Sequence, residues 1–385
     1  MTRTYRARLV ALAVVVVVAL AACSSSNKSS SGGGSGGGSG SSGTDYTALL
    51  NSARQMVPTS FSGPTTPAKA PTGIKIAAIT CYSILEGCVI PAEGIAKAAS
   101  AIGWQARTFD GGGTPTEQNT QILNAVSWGA KVIALIAITP SAVQTGLQAA
   151  KNAGALIVSG SSGLSTPNAT ITPPAGQIWP AFDVSPDYKS AGEHLANWII
   201  GDSNGKANVG VYGDKEFDSI NAQETGIVPA LKKCTTCKSS DVMYFTATQI
   251  ASSLGPQTVN YVRTHPDVDY LYSAFDPPAA AQVQALQTAG LGKNVKIVGG
   301  LGNAQNLQFI KAGQVEAADA AYDNIYMGFA IVDQSIRMLN KQPLIEPAGE
   351  GLPFQVLDKT NLPSGQASWT APYDYQSKFL ALWKS

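Results

Sequence analysis

Apolar and polar positions along this chain follow three regimes. Every position from Leu9 to Ala22 is apolar, residues 24–72 are rich in serine and glycine, and from Gly73 onward short apolar runs alternate with stretches of helical period. In the third regime "IKIAAIT" (74–80) precedes "PAEGIAKAASAIG" (91–103), where Ile95, Ala99 and Ile102 recur at helical spacing and Gly103 closes the helix. "QARTF" is the next strand, and Thr114-Pro115-Thr116-Glu117 then opens a helix with a capping box and a proline in the first turn. "KVIALIAIT" (131–139) is apolar on both faces, as suits a strand of a parallel sheet covered on both sides. A helix over 141–153 and the strand "ALIVSG" (155–160) complete the first set.

The cycle then restarts. "NVGVYG" (208–213), a helix over 219–233, "VMYFTA" (242–247), a helix over 252–264, "DYLYSA" (269–274), a helix over 277–289 and "VKIVGG" (295–300) follow in order. Strands separated by helical stretches of that length predict βαβ units with right-handed crossovers. Two consecutive sets predict an α/β protein of two doubly wound, Rossmann-like lobes with parallel sheets. About 310 residues suit two lobes of ordinary domain size. Such sheets take ligands beyond the carboxyl ends of their strands, which places the expected site in the cleft between the lobes.

Charge narrows the partners. Lys and Arg number 26 against 25 Asp and Glu, a formal net charge of +1, and no basic stripe stands out, so a nucleic-acid partner is not expected. Catalysis finds little support. His194 lies in a helix and His265 in the loop "THPDVD", neither beside a nucleophile at a recognisable motif. Gly300-Leu301-Gly302 lacks the third glycine of a dinucleotide fingerprint, and Gly33-Gly34-Ser35-Gly36-Gly37 matches a nucleophile motif only in letters, without the strand-to-helix turn it needs. The expectation is a binding protein with neither cofactor nor metal.

Besides Cys23, the cysteines form two close pairs, Cys81 with Cys88 and Cys234 with Cys237. In an exported chain they read first as structural disulfides. A zinc site needs four ligands together, whereas the pairs lie far apart in a chain with two histidines. A redox pair favours a helix N-terminus, but Cys234-Thr-Thr-Cys237 follows "IVPALKK" at a helix's C-terminal end.

The first regime supplies the export. Arg3, Arg6 and Arg8 precede an apolar run shorter than the ~20 residues of a spanning helix. Leu20-Ala21-Ala22-Cys23 then resembles the lipobox of bacterial lipoproteins. The resemblance implies a signal peptide over 1–22, lipidation of Cys23, and a location on the outer face of the cytoplasmic membrane. Residues 24–72 read as a flexible Ser/Gly-rich tether with too little apolar surface to offset ordering.

From about 73 to 340 the chain resembles the periplasmic binding proteins of the ribose/galactose type, through "GIAKAASAIGW", "TPTEQNTQILNAVSWGAKVIAL", "AVQTGLQAAKNAGALIV", "AGEHLANWI", "HPDVDYLYSAFD", "ALQTAGL", "VKIVGG" and "IKAGQVEAADAAYDNIYMG" in the family's order. The resemblance implies an exported monomeric clamp that hands a small molecule to the permease of an ABC importer, or alternatively to a membrane sensor or chemoreceptor. It implies three crossings between lobes, near 184, 322 and 342. The N-terminal lobe would then hold 73–184 and 323–341, the C-terminal lobe 185–322 and 342–360, with 361–385 as an extension.

The family's gripping loops correspond here to Tyr82, Ser83, Glu86, Ser159, Ser161, Asn221, Phe275, Asp276, Leu301, Tyr322 and Asp323. The ribose-type Asn-x-Phe-Phe becomes Leu85-Glu86-Gly87-Cys88, an Asp-Arg becomes Ser159-Gly160, an Arg becomes Asn221 and a Gln becomes Tyr322. Charge-assisted grips on sugar hydroxyls are thereby lost and aromatic area is gained. A sugar, sugar-like compound or polyol is the expected ligand, with a more apolar aromatic or terpenoid compound as the alternative. Asp276 could equally cap the helix that begins at Pro277-Pro278.

Overall fold

The computed structural model describes residues 44–164, 173–365 and 367–384. The lipobox, Cys23 and the first part of the tether lie outside them. The apolar runs become the strands of two sheets. In the N-terminal lobe, β1 (Lys75–Thr80), β2 (Gln105–Asp110), β3 (Val132–Ile136), β4 (Leu156–Gly160) and β5 (Asp183–Val184) are parallel in the order β2-β1-β3-β4-β5. Every residue of β3 is buried, as its unbroken apolar run requires. In the C-terminal lobe, β6 (Asn208–Asp214), β7 (Lys238–Phe245), β8 (Tyr270–Tyr272), β9 (Lys296–Leu301) and β10 (Glu316–Tyr322) are parallel, and β11 (Phe354–Asp358) joins β10 antiparallel at the edge.

Helices cover both faces of each sheet. α2 (Glu86–Ala101) and α11 (Asn324–Leu339) pack on one face of the first sheet, and α3 (Pro115–Trp128) and α4 (Gln144–Asn152) on the other. In the second lobe α5 (Tyr188–Asp202) and α6 (Asp218–Lys233) face α8 (Leu254–Thr264) and α9 (Asp276–Thr288) across the sheet. α3 starts as its sequence demands: Thr114 accepts from the Glu117 amide and Pro115 opens the helix. α2 starts earlier than its periodicity suggested. It takes in Cys88 and carries Pro91 in its second turn, where the ring removes the helical donor for the Gly87 carbonyl.

Both ends of the described chain differ from the expectation of a loose tether and an appended tail. Asp45 caps α1 (Tyr46–Ala53) by accepting from the Ala48 amide. α1 lies on α5, with Ala53 in the C-terminal lobe's core and Leu49 and Leu50 packed against it. Val57 then pairs with Phe354, and Ala68 and Ala70 donate to the Leu382 and Trp383 carbonyls. At the other end, α12 (Tyr375–Lys384) buries Tyr375, Phe379 and Trp383 against α11 in the N-terminal lobe. Leu49, Leu50, Ala53 and Ala68 provide the apolar surface that the preceding Ser/Gly stretch lacks. Among the described residues no helix is long and apolar enough to cross a membrane.

Candidate functional site

The loops at the carboxyl ends of both sheets meet between the lobes. The Thr139 hydroxyl, after β3, donates to Asp218 Oδ2 at the start of α6, 3.2 Å away, so the cleft is bridged. Burial pushes the Asp218 carboxyl up, against the pull of that hydroxyl.

Two chambers adjoin in this cleft. The first, a small cavity of about 40 Å³, is walled by Leu85, Gly87, Cys88, Ala137 and Ser161 from the N-terminal lobe and by Phe217, Ser219, Ile220, Phe275, Pro277 and Leu301 from the C-terminal lobe. Among the described residues its lining carries two hydroxyls and no charge. The second, of about 320 Å³, is the more polar of the two, with Tyr82, Gln118, Thr139, Lys215, Glu216 and Asp218 among the apolar residues of its wall. Leu85, Ala137 and Phe217 border both.

Backbone strain gathers at the first chamber. Ala137, Ser161 and Leu301 sit just past or at the ends of β3, β4 and β9 with φ of 52°, 56° and 142°. Non-glycine residues seldom adopt such angles, and such strain collects at binding sites where surrounding structure over-determines it. Around Leu301, Asp319 Oδ1 accepts from the Gly302 amide at 3.0 Å and Asp276 Oδ2 from the Asn303 amide at 2.7 Å. On the opposite wall, the Cys81–Cys88 disulfide, with Cα atoms 5.7 Å apart, fastens the loop after β1 to the first turn of α2. Cys234 and Cys237 are bonded far from the cleft, between α6 and β7.

The sequence-derived site residues divide sharply. Ser161, Phe275 and Leu301 line the apolar chamber and Tyr82 the polar one. The others do other work. Ser83 is tied to Asp110 through both its amide and its hydroxyl, at 2.9 and 2.6 Å. Burial pushes Asp110 up, but the Ser83 hydroxyl and the Gly112 and Ser83 amides outweigh it and leave the carboxyl below its ordinary value. Glu86 is exposed in the first turn of α2, its pKa raised by partial burial and by Glu93. Asn221 lies within α6 and borders neither chamber.

Four residues read as ligand-facing are instead consumed inside the lobes. Ser159 is fully buried and donates to Asp183 Oδ1 at 2.7 Å. The Tyr322 hydroxyl donates to Gln223 Oε1 at 2.6 Å, and its ring packs edge-on against Tyr188. Asp323 caps α11, accepting from the Tyr326 amide, the Ala371 amide and the Tyr375 hydroxyl. Asp276 is fully buried in the first turn of α9, whose N-cap is Phe275, so its own side chain does not cap that helix. It meets Glu316 and Asp319, with carboxylate oxygens of all three within 4.8 Å. Burial and mutual repulsion push Asp276 and Glu316 far up, and burial brings Asp319 to about 6. Like charges so close cannot all ionise, so protons are held there at neutral pH. Ala137, Phe217, Ile220 and Pro277 are not marked as site residues by the sequence, their one signal being position next to a strand end, while Leu85 and Gly87 fall in the Leu85-Glu86-Gly87-Cys88 stretch without being singled out.

Two parallel α/β lobes closing over a strand-end cleft define the periplasmic-binding-protein type I class of solute clamp. A model of the periplasmic binding protein domain matches residues 88–343, and the chain belongs to that family. Solved structures of the same fold include an ABC transporter solute-binding protein from Agrobacterium vitis bound with α-D-tagatopyranose (18% identity, TM-score 0.68, covering 77% of this chain and 98% of that one). Another is from Mycobacterium smegmatis, bound with glycerol (19%, TM-score 0.64, 77% and 100%). A third, from Thermotoga lettingae, is a 5-methylthioribose transporter solute-binding protein in complex with 5-methylthioribose (15%, TM-score 0.62, 77% and 89%). No curated protein sequence matches the chain.

Proposed function

We propose that this chain is an exported, lipid-anchored clamp that captures a sugar-like or polyol solute between its lobes and delivers it, as a monomer, to the permease of an ABC importer. The observation that carries this reading is a cleft walled by strand-end loops of both lobes, which a ligand can hold closed by touching both at once. The family and the hydroxylated ligands of its structural neighbours favour the solute class. The lipobox favours the anchor: Cys23→Ser should move the protein from the membrane fraction to the medium or periplasm.

The direct test is a thermal-shift screen paired with small-angle scattering. A solute at a hundred times its Kd raises native stability by about 2.7 kcal/mol and should shrink the radius of gyration as the lobes close. Turnover of any solute by the purified protein would end this reading.

A further inference from the structure

We propose that the solute is amphiphilic, with a hydroxylated end in the polar chamber and an apolar end in the chamber beside it; this rests on the clamp reading above. The argument begins with what the apolar chamber cannot do. A sugar hydroxyl taken from water needs replacement partners, and leaving it without one costs about 1–3 kcal/mol. Among the described residues, Ser161 and Ser219 are the chamber's only polar side chains. Ser161 already shares a hydrogen bond with the Tyr188 hydroxyl at 3.0 Å. Of the other candidate ligand residues, Ser159, Tyr322 and Asp323 are hydrogen-bonded within their own lobes and, like Asp276, do not line the chamber. A fully hydroxylated solute therefore has almost nothing to bond to on that side, whereas a hydrocarbon group meets Leu85, Phe217, Ile220, Phe275 and Leu301.

The second chamber is the complement. Tyr82 and Lys215 bring donors to its wall, and Thr139 with Asp218 (bonded to each other), Gln118 (bonded to the Cys81 carbonyl) and Glu216 (accepting from the Ala247 amide) keep lone pairs or a second N–H for a hydroxylated guest. Because Leu85, Ala137 and Phe217 border both chambers, a single solute can span them with its polarity matched at each end. Two variants alter the apolar chamber. Ile220 stands in its wall at the start of α6, on a nearly buried position. Gly87 lies in α2 with no unusual backbone angle, and a methyl there would come within 3.0 Å of Leu301 Cδ1, filling space the solute would use.

The experiment is calorimetry or thermal shift on the full-length protein with 1,2-alkanediols from propanediol to octanediol, beside glycerol and tagatose. Each buried methylene should tighten binding about fourfold until the chamber is full. Ile220→Asn should flatten the series, and Gly87→Ala should bring its plateau to shorter diols. A flat series alongside a response to glycerol or tagatose overturns the inference and leaves the clamp intact. A rising series that neither variant changes overturns it as well, since the alkyl chain then binds elsewhere. If diols and polyols alike leave melting temperature and radius of gyration unmoved, the clamp reading falls and takes the inference with it.

Discussion

The two lobes carry the same three-residue tie in opposite electrostatic settings. On the C-terminal lobe, Asp358 accepts from Arg54 Nε at 2.6 Å and Trp198 Nε1 at 2.8 Å, fastening the end of α1 to β11 and α5. On the N-terminal lobe, Asp333 accepts from Arg337 Nε and Trp383 Nε1, each at 2.6 Å, while Arg337 also donates to Thr66. That tie joins α11, α12 and the segment before β1. The Arg54 and Asp358 side chains are 22% and 5% exposed, those of Arg337 and Asp333 3% and 0%. Residue types alone therefore say little about strength. A pair that reaches water gains little and loses little, whereas a buried pair cannot lose one member without stranding the other's charge.

The largest effect is expected from Asp333→Ala. It leaves the Arg337 guanidinium buried beside Thr66 with only Glu350, whose carboxyl burial disfavours ionising, to balance it, and should cost ~3–5 kcal/mol in denaturant unfolding. Asp358→Ala should cost less, ~1–2 kcal/mol, because Arg54 can turn to water while Trp198 Nε1 loses its acceptor. Smaller still is Arg54→Met, at ~0–1 kcal/mol, and that penalty should shrink in 1 M NaCl. Equal costs for the two aspartate variants would show that burial does not separate the ties.

The same contrast explains what the sequence could and could not disclose. The strands and their helices were legible because apolar runs such as "KVIALIAIT" carry their burial in composition. α12 also shows its pattern, with Tyr375, Phe379 and Trp383 four residues apart, yet nothing local says that this face returns to the N-terminal lobe. α1 was hidden by the Ser/Gly stretch ahead of it. At the site, motif position named Tyr82, Ser161, Phe275 and Leu301, which border the chambers, but could not tell a side chain facing the cleft from one turned inward. Tyr322 illustrates why: its fate depends on Gln223, 99 residues away in sequence. Ile220 and Phe217 wall the cleft through backbone placement, which residue type does not announce.

The last prediction separates the ties by pH, with opposite signs. Burial pushes the Asp358 carboxyl up, but hydrogen bonds from Thr360, Trp198 and Arg54 outweigh it and leave it below its ordinary value. Its contribution is therefore present above the unfolded-state pKa and lost as pH falls through the lower folded one. Beside the other tie sits Glu350, pushed well above its usual range first by burial and then by Asp333, with Arg337 opposing. The native protein keeps that proton after the unfolded chain has released it, so stability is highest below the unfolded pKa of a glutamate and declines as pH rises toward the folded one. Glu350→Gln, near-isosteric with the protonated acid, should lie within ~1 kcal/mol of the parent near pH 4.5 and gain on it steadily toward pH 8. Asp358→Asn should do the reverse, flattening the loss of stability on the acid side. Denaturant midpoints measured across pH 3–8 decide it: a Glu350→Gln curve parallel to the parent's would mean that the glutamate is ionised in the native lobe, and the asymmetry between the two ties would reduce to exposure alone.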